Sequence, residues 1–551
     1  MPFISLPPET IVCRYLKETI ANDLYLQYIL QLDKFGYIAP QLIRQDLGYG
    51  EMIEAVGRWQ HAELGEPEFI KIPDAIDVVA HRSYFMEGIY VLYLVAMDSS
   101  SNFKFSLHFH ELPSFNRGTG YRYWVHDGLG FHVCSFSIQP EIDLLVLLYY
   151  LPFELVPGYC IHLRTMSTNE PHPLAAASPL LNIDGLPDLQ PDDSNEIIIF
   201  GRILAHLLNI PESKPFIILF DWIAGIEIGR IDLEPSERST IAFISEEYCA
   251  VTRDRKYNIS STDTDDQARN ILIFHITPHT EELQDRRVMH VVTLEFPTLC
   301  KHQTELGLRL CGRASPIPDS PFWSNQTKPV PKIYELKRWG HLCLYYEADT
   351  PRTSSYPPRY FEEELNTSGI LYISSQALLA ALAGQYLSYR QSDEPVLIPW
   401  KTWKEHAARQ PAMDLPGANM WGRKSASIQH GAEAHSNHER PPQLVILDFI
   451  PKGVSTRQSS GNKEVDSRFS VLDCSSRAYN QTCATSSQLT DGGFTETKLD
   501  MRYRRISIDL KSVKHQEFRV HGFQVDDEHI VTAIERPRNV TGQQFFRVYT
   551  I

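Results

Sequence analysis

The sequence predicts a mainly β chain in which similar sheets repeat and close on one another, after a short helical N-terminus. Three observations carry this. Leu107-His-Phe-His-Glu-Leu-Pro, Ile161-His-Leu-Arg-Thr, Ile218-Leu-Phe-Asp-Trp and Leu272-Ile-Phe-His-Ile-Thr-Pro share one alternation of apolar and polar positions, and they start 54, 57 and 54 residues apart. An acidic turn running into a β-rich segment also recurs, as EIDLLVLLYY from Glu141, SEEYCAVTRD from Ser245 and VDDEHIVTAIE from Val525. Finally, FIILFDWIAGIEIGRIDL holds two β-rich runs around Ala224-Gly225, a hairpin in which glycine supplies the turn.

A four-stranded sheet buries one face only when another sheet stacks against it, so a repeat of this length favours radial closure. The expected fold is therefore a β-propeller, WD-type, of about 6–8 blades. An ordinary β-sandwich would also give short alternating strands, but not their near-constant spacing. Asp221-Trp222 resembles the dipeptide that ends a blade strand in WD-type repeats, where it packs inside the blade. Beyond Cys300 the period weakens, although HLCLYY, SGILYISS, PQLVILDFIP and YRRISIDL still read as strands. Polar loop insertions are expected near 408–442, rich in His, Ala, Gly and Asn, and near 452–498, dense in Ser, Thr, Gln and Gly.

The N-terminus reads differently. Pro7 and Pro8 suit the first positions of a helix, and Glu9 puts a carboxylate where the helix dipole favours it. From there Ile11, Val12, Tyr15, Leu16, Ile20, Leu24, Tyr28 and Ile29 recur at helical spacing, as one amphipathic segment or a pair of them requires. The expected division is a helical segment over 1–32, a helical connector over 33–75 with GRWQHAEL around Trp59, and the propeller over 76–551.

Composition narrows the function classes. Sixty-eight acidic against 52 basic residues, a net charge of −16, leave no basic stripe for a phosphate backbone, so nucleic acid is not an expected partner. The longest apolar runs, Ile89 to Met97 and Ile142 to Pro152, are about half the roughly 20 residues of a spanning helix, so no membrane partner is expected. No basic start followed by an apolar core precedes Leu24, and nine scattered cysteines lack a CxxC pair, so we expect an intracellular chain with reduced thiols.

No GxGxxG, P-loop, HExxH or GxSxG is present, and no catalytic residue is assigned. Asp526-Asp527-Glu528 reads as a solvated turn before a strand. His108 and His110 share one strand face, and His406, His430, His435 and His438 cluster in the polar stretch, but neither set has zinc-site spacing, so neither metal nor cofactor is expected. Tyr121, Tyr123 and Trp124 in TGYRYWVHDGLG are the candidates for a recognition surface, since aromatic residues on blade loops dominate hot spots; core packing is the even alternative.

The opening LPPE at Leu6 to Glu9 and VCRYLKETIANDLYLQYILQL from Val12 resemble the two ends of an F-box, and the chain as a whole resembles fungal F-box proteins of basidiomycete type. The resemblance continues through SLHFHELPS, RYWVHDGLG, DLLVLLYYLP, CIHLRTMSTNEPHPLAA, PWKTW, LVILDFIP and VDDEHIVTAIE, with residues 160–176 its most specific part. It implies a non-catalytic substrate receptor of an SCF-type cullin ubiquitin ligase. A helical segment with Leu6, Pro7, Pro8, Glu9, Ile11, Val12 and Leu16 would dock a Skp-type adaptor, and the propeller would hold a protein substrate of unknown identity. In the family a Leu-rich run separates LPPE from VC; here only Thr10 and Ile11 do, so the F-box is truncated. A helix from Pro8 to Leu16 would offer about two and a half turns. The alternatives are a propeller scaffold uncoupled from the ligase, an incomplete gene model, and a propeller hydrolase with carboxylates converging on the channel.

Overall fold

The computed structural model describes residues 8–34, 37–61, 68–71, 78–97, 102–151, 158–176, 180–183, 196–208, 215–233, 239–253, 270–277, 288–295, 305–311, 330–336, 341–349, 366–375, 378–379, 382, 394–403, 407–411, 419–421, 424–429, 443–450, 502–509, 519–525, 528–535 and 545–550. The N-terminal part holds helices α1 (Pro8–Asn22) and α2 (Leu24–Lys34), a two-residue strand β1 (Tyr37–Ile38), helix α3 (Tyr49–His61) and strand β2 (Glu68–Lys71). Six four-stranded antiparallel sheets follow in chain order. They are β3 to β6 (Val78–Met86, Ile89–Met97, Phe103–Glu111, Arg122–Asp127), β7 to β10 (Val133–Gln139, Leu144–Leu151, Gly158–Thr165, Leu180–Ile183) and β11 to β14 (Glu196–Phe200, Ile203–Leu208, Phe216–Asp221, Ile226–Asp232).

The fourth comprises β15 to β18 (Ile241–Phe243, Tyr248–Arg253, Asn270–Ile276, Val288–Glu295). In the fifth, β19 (Glu305–Cys311) pairs with β21 (His341–Asp349), then β22 (Asn366–Ser374) and β24 (Ala407–Pro411). Within its span, β20 (Glu335–Leu336) pairs with β1, and β23 (Val396–Ile398) adds in parallel to β18, followed by a single turn α4 (Trp400–Trp403) whose Trp403 donates to Glu295 O. The sixth is β25 to β28 (Asn419–Trp421, Lys424–Gln429, Gln443–Ile450, Arg502–Asp509).

The seventh sheet decides the architecture. Its strands β29 (Arg519–Val525), β30 (His529–Glu535) and β31 (Phe545–Thr550) come from the C-terminus, and its fourth is β2, with Glu68 opposite Val548 and Lys71 opposite Phe545. The two ends of the chain thus complete one sheet, which closes a series of seven into a ring. First strands of successive sheets touch, β3 with β7 and β7 with β11, so they lie nearest the axis. The fold is a β-propeller with seven blades among the described residues, within the expected range, beside the two-stranded pair of β1 and β20.

Alternation along each strand builds the core between blades rather than within them. Val91, Tyr93 and Val95 of β4 face the second sheet, while Tyr90, Leu92 and Leu94 pack toward Val531 and Val548 of the seventh. On β8, Leu145 and Leu147 face back toward the first sheet while Leu144, Val146 and Leu148 face the third. Period-two side-chain placement with both faces apolar is what a stacked blade requires. All four repeated segments lie on third strands, β5, β9, β13 and β17, and all three acidic-turn segments lead into second strands, β8, β16 and β30.

Two expectations are corrected. The helical connector over 33–75 contains one helix, α3, and ends in β2, so the propeller begins before residue 76 because its closing strand is taken from this segment. The polar insertion over 408–442 contributes strands β24, β25 and β26 instead; backbone pairing with β22 and β27 does not depend on large apolar side chains. The apolar residues from Ile11 to Ile29 lie on a pair of helices, α1 to Asn22 and α2 from Leu24, as their spacing allowed. The stretch 452–498 lies outside the described residues.

Helices α1 and α2 separate at Asp23, whose Oδ1 accepts from Tyr25 N at 2.8 Å and Leu26 N at 3.1 Å, a side-chain N-cap for α2. Asp23→Ala is expected to weaken α2 by about 1 kcal/mol, read as faster amide exchange confined to the first turns of that helix. Among the described residues no helix is long and apolar enough to cross a membrane.

Candidate functional site

Helix α2 is apolar on more than one side, with Leu24, Tyr25, Leu26, Tyr28, Ile29, Leu30 and Leu32 in nine residues. One side is spent on folding. Tyr28 and Leu32 are buried with Tyr37, Met52, Ala55 and Val56 and with Ile333 and Tyr334 from the fifth blade. The Tyr28 phenol donates to Ile333 O, and burial pushes its pKa well up, so it stays a neutral donor. The other side stays outside: Leu16 of α1 is 51% exposed and Leu30 of α2 52%, with Tyr15, Leu24 and Tyr25 also exposed.

Of the residues expected to contact an adaptor, Pro8, Glu9, Ile11 and Val12 lie on the helical backbone of α1, and Leu16 lies on its exposed surface. Leu6 and Pro7 lie outside the described residues. Sequence reasoning passed over Tyr25 and Leu30. The signal was present in α2, whose apolar residues exceed the one stripe a surface helix needs.

The helical module sits on one particular face of the ring. In an antiparallel blade the connections between strands one and two and between strands three and four emerge on the same side. Its contacts among the described residues come from that side. β1 pairs with β20, Lys332 N donates to Leu42 O and Arg44 N to Lys332 O, and Lys332 Nζ lies 3.4 Å from Glu141 after β7. The Arg44 guanidinium donates to Phe115 O in the β5–β6 turn and lies over the Phe115 ring.

The second candidate surface is on the outer edge of the first blade. Tyr121 is 51% exposed and Tyr123 39%; their hydroxyls lie 2.9 Å from His110 Nδ1 and 2.7 Å from His108 Nδ1. Burial holds both imidazoles below their ordinary value, His110 at about 4, so they are neutral partners and the two phenols are held in fixed directions. Trp124 points the other way. Its ring stacks on Phe109 at 5.0 Å, its Nε1 donates to Met166 O at 3.1 Å, and the Arg122 guanidinium lies 4.9 Å from its centroid. Trp124 therefore seals the seam to the second blade, leaving Tyr121 and Tyr123 as the exposed pair. Among the described residues no group of three or more His, Cys, Asp or Glu side chains is arranged to hold a metal ion.

Residues 160–176 lock the second blade to its neighbours. Asp143 accepts from Ser167 N and Oγ, Asn169 takes a left-handed φ of 62°, and His172 Nε2 donates to Ile142 O while its ring meets the Trp222 ring edge-on at 5.2 Å. Buried carboxylates among the described residues are Asp221 and Glu528, in the third and seventh blades. Asp221 pairs with Arg202, and Glu528 accepts from Ser114 Oγ and from Asn116 N at 2.7 Å. Both are taken up by structural bonds, and Glu528 is not the solvated turn residue the sequence suggested.

No family model and no curated protein matches the chain. Solved structures similar to it include the β-propeller domain of the Trilobed protease from Pyrococcus furiosus, at 9% identity and TM-score 0.38 over 86% of this chain and 94% of that one. Another is Pyrococcus horikoshii acylaminoacyl peptidase, at 8% identity and TM-score 0.35, where 84% of this chain covers 50% of that chain. A third is the WD40 domain of SCAP from fission yeast, at 6% identity and TM-score 0.31 over 88% and 98%. Likenesses this distant carry neither the fold nor a function. The propeller itself rests on the closed series of seven sheets.

Proposed function

We propose that the chain is a non-catalytic protein-interaction receptor in which α1 and α2 carry a partner and the propeller carries another. The observation behind this reading is the exposed apolar surface of Tyr15 and Leu16 on α1 and of Leu24, Tyr25 and Leu30 on α2, whose opposite side is fixed to the ring. Large apolar groups left in water on a rigid mount favour a partner that covers them. In the finer form of the proposal, that partner is a Skp-type adaptor joined to a cullin ubiquitin ligase, and the second is a protein held for ubiquitin transfer. Tyr121 and Tyr123 are the proposed contacts for the held protein.

The test is a pulldown of the full chain with a fungal Skp adaptor and cullin, beside Leu16→Glu/Leu30→Glu and a version with a Leu-rich run restored after Ile11. Binding by the native chain, reduced more than about tenfold by the charged pair, supports the receptor, since each charge would have to be desolvated in an apolar contact. Binding by the restored version alone makes the present chain an uncoupled scaffold. Tyr121→Ala/Tyr123→Ala should leave adaptor capture unchanged while abolishing retention of proteins that the native propeller holds.

A further inference from the structure

Asn116, buried in the β5–β6 turn, bonds in two directions at once. Toward the helical module its Oδ1 accepts from Ile333 N at 2.8 Å and Tyr334 N at 2.9 Å, and its Nδ2 donates to Tyr334 O at 3.1 Å. Those two residues are the ones against which Tyr28 and Leu32 of α2 are packed, and Ile333 O takes the Tyr28 hydroxyl. Toward the ring, Asn116 N donates to Glu528 Oε1 at 2.7 Å, and Ser114 Oγ donates to the other oxygen. Glu528 immediately precedes β30 of the closing blade, which His529 begins, and His529 Nε2 lies 2.8 Å from Pro113 O.

The turn between these two sets of bonds is internally braced. Ser114 and Thr119 exchange backbone bonds at 2.9 and 3.1 Å, Arg117 N donates to Ser114 Oγ, and Leu112 N donates to Gly88 O at 2.7 Å. A braced turn moves as a body, so displacing it from either side leaves buried donors and acceptors open on the other. The chain supplies a second connection, because α3 ends only a few residues before β2, the strand that closes the ring.

We infer that the Asn116 turn couples the seating of the helical module to closure of the ring, so that whatever binds α1 and α2 is felt at the seam between the seventh and first blades. By linkage the effect is reciprocal: loosening the seam weakens the module's seat. The coupling goes beyond the receptor reading and stands whether or not α1 and α2 carry an adaptor.

Native-state amide exchange on the full chain tests it without any partner. Tyr28→Phe keeps the ring and removes one buried hydrogen bond. It is expected to speed exchange about tenfold in α2 and α3 and, through Asn116, in β2, β30 and β31 as well. Asn116→Ala should affect both regions, and adding Tyr28→Phe to it should change β2 and β31 no further. Because Asn116→Ala removes the three side-chain hydrogen bonds to Ile333 and Tyr334 and can prevent folding, Glu528→Gln closes the same cycle from the ring side, with faster exchange expected in α2. Arg230→Ala, on an exposed pair with Glu227, serves as the unaffected control. Tyr28→Phe effects confined to α2 and α3, or rate factors that simply multiply in the double variant, overturn the coupling.

Discussion

Replacing Trp222 with alanine is expected to remove about 3–5 kcal/mol of stability, the range for deleting a fully buried aromatic side chain. Trp222 is the largest fully buried side chain among the described residues, and it sits between the second and third blades with Tyr159, Ile161, Ile218 and Phe220. Its Nε1 donates to Gly201 O at 2.8 Å, its backbone N donates to Arg202 O at 3.1 Å, and its ring meets His172 edge-on. The preceding Asp221 fixes the turn, accepting from Ala224 N while paired with Arg202, and Gly225 at φ 69° returns the chain into β14. Trp222→Phe separates the contributions. It keeps most of the apolar volume but leaves the Gly201 carbonyl without its donor, so a smaller loss of about 1–3 kcal/mol is expected. Urea denaturation measures both. Equal losses in the two variants would mean that the hydrogen bond, and not the packing of the seam, carries the effect.

That Trp222 packs inside the ring was legible from Asp221-Trp222 closing a β-rich run, and so was most of the first four blades. The repeat was found on third strands because each lies in the middle of its sheet, apolar on both faces and therefore least free to vary its alternation. The period fades after Cys300 for a mechanical reason. Blades five and six are interrupted between β19 and β21, between β22 and β24, and between β27 and β28, at residues 312–340, 375–406 and 451–501. Spacing measured along the chain then no longer tracks spacing around the ring. The closing strand was hidden for another reason: four residues, EFIK, carry no signal of their own, and only their pairing with β31 makes them part of a blade.

The candidate site was partly legible. Leu16 and the apolar excess of α2 could be read locally, whereas the seat of the helices could not. Residues 330–336 stand about 300 positions from Tyr28, and Asn116 and Glu528 are about 410 apart, so no local pattern marks them as partners. Glu528 shows the limit most directly. A run of three acids predicts a solvated turn, yet the Asn116 amide and the Ser114 hydroxyl bring its carboxylate inside.

Acid should unfold this propeller earlier than its carboxylates alone would require. His206 of β12 is wholly buried beside Tyr159, and neither of its ring nitrogens has a hydrogen-bond partner among the described residues; desolvation drives its pKa down to about 3. His110, also buried and with Nε2 unpartnered among the described residues, is held at about 4 by burial and by neighbouring His108. In the unfolded chain both take up protons near pH 6.5. Between that value and the depressed ones the unfolded state binds more protons, so stability is fully present above pH 6.5 and is lost as pH falls. Each histidine then contributes about 1.4 kcal/mol of loss per pH unit, for His206 down to about pH 3 and for His110 down to about pH 4. His206→Leu removes two buried polar atoms without partners at little change in volume. It is expected to gain about 1–3 kcal/mol at pH 7 and to flatten the pH slope by about one proton. Urea midpoints at pH 7, 6 and 5 for the native chain and this variant measure both effects. A variant with an unchanged slope would mean that His206 reaches solvent before the ring unfolds, and the closed packing between the second and third blades would have to be given up.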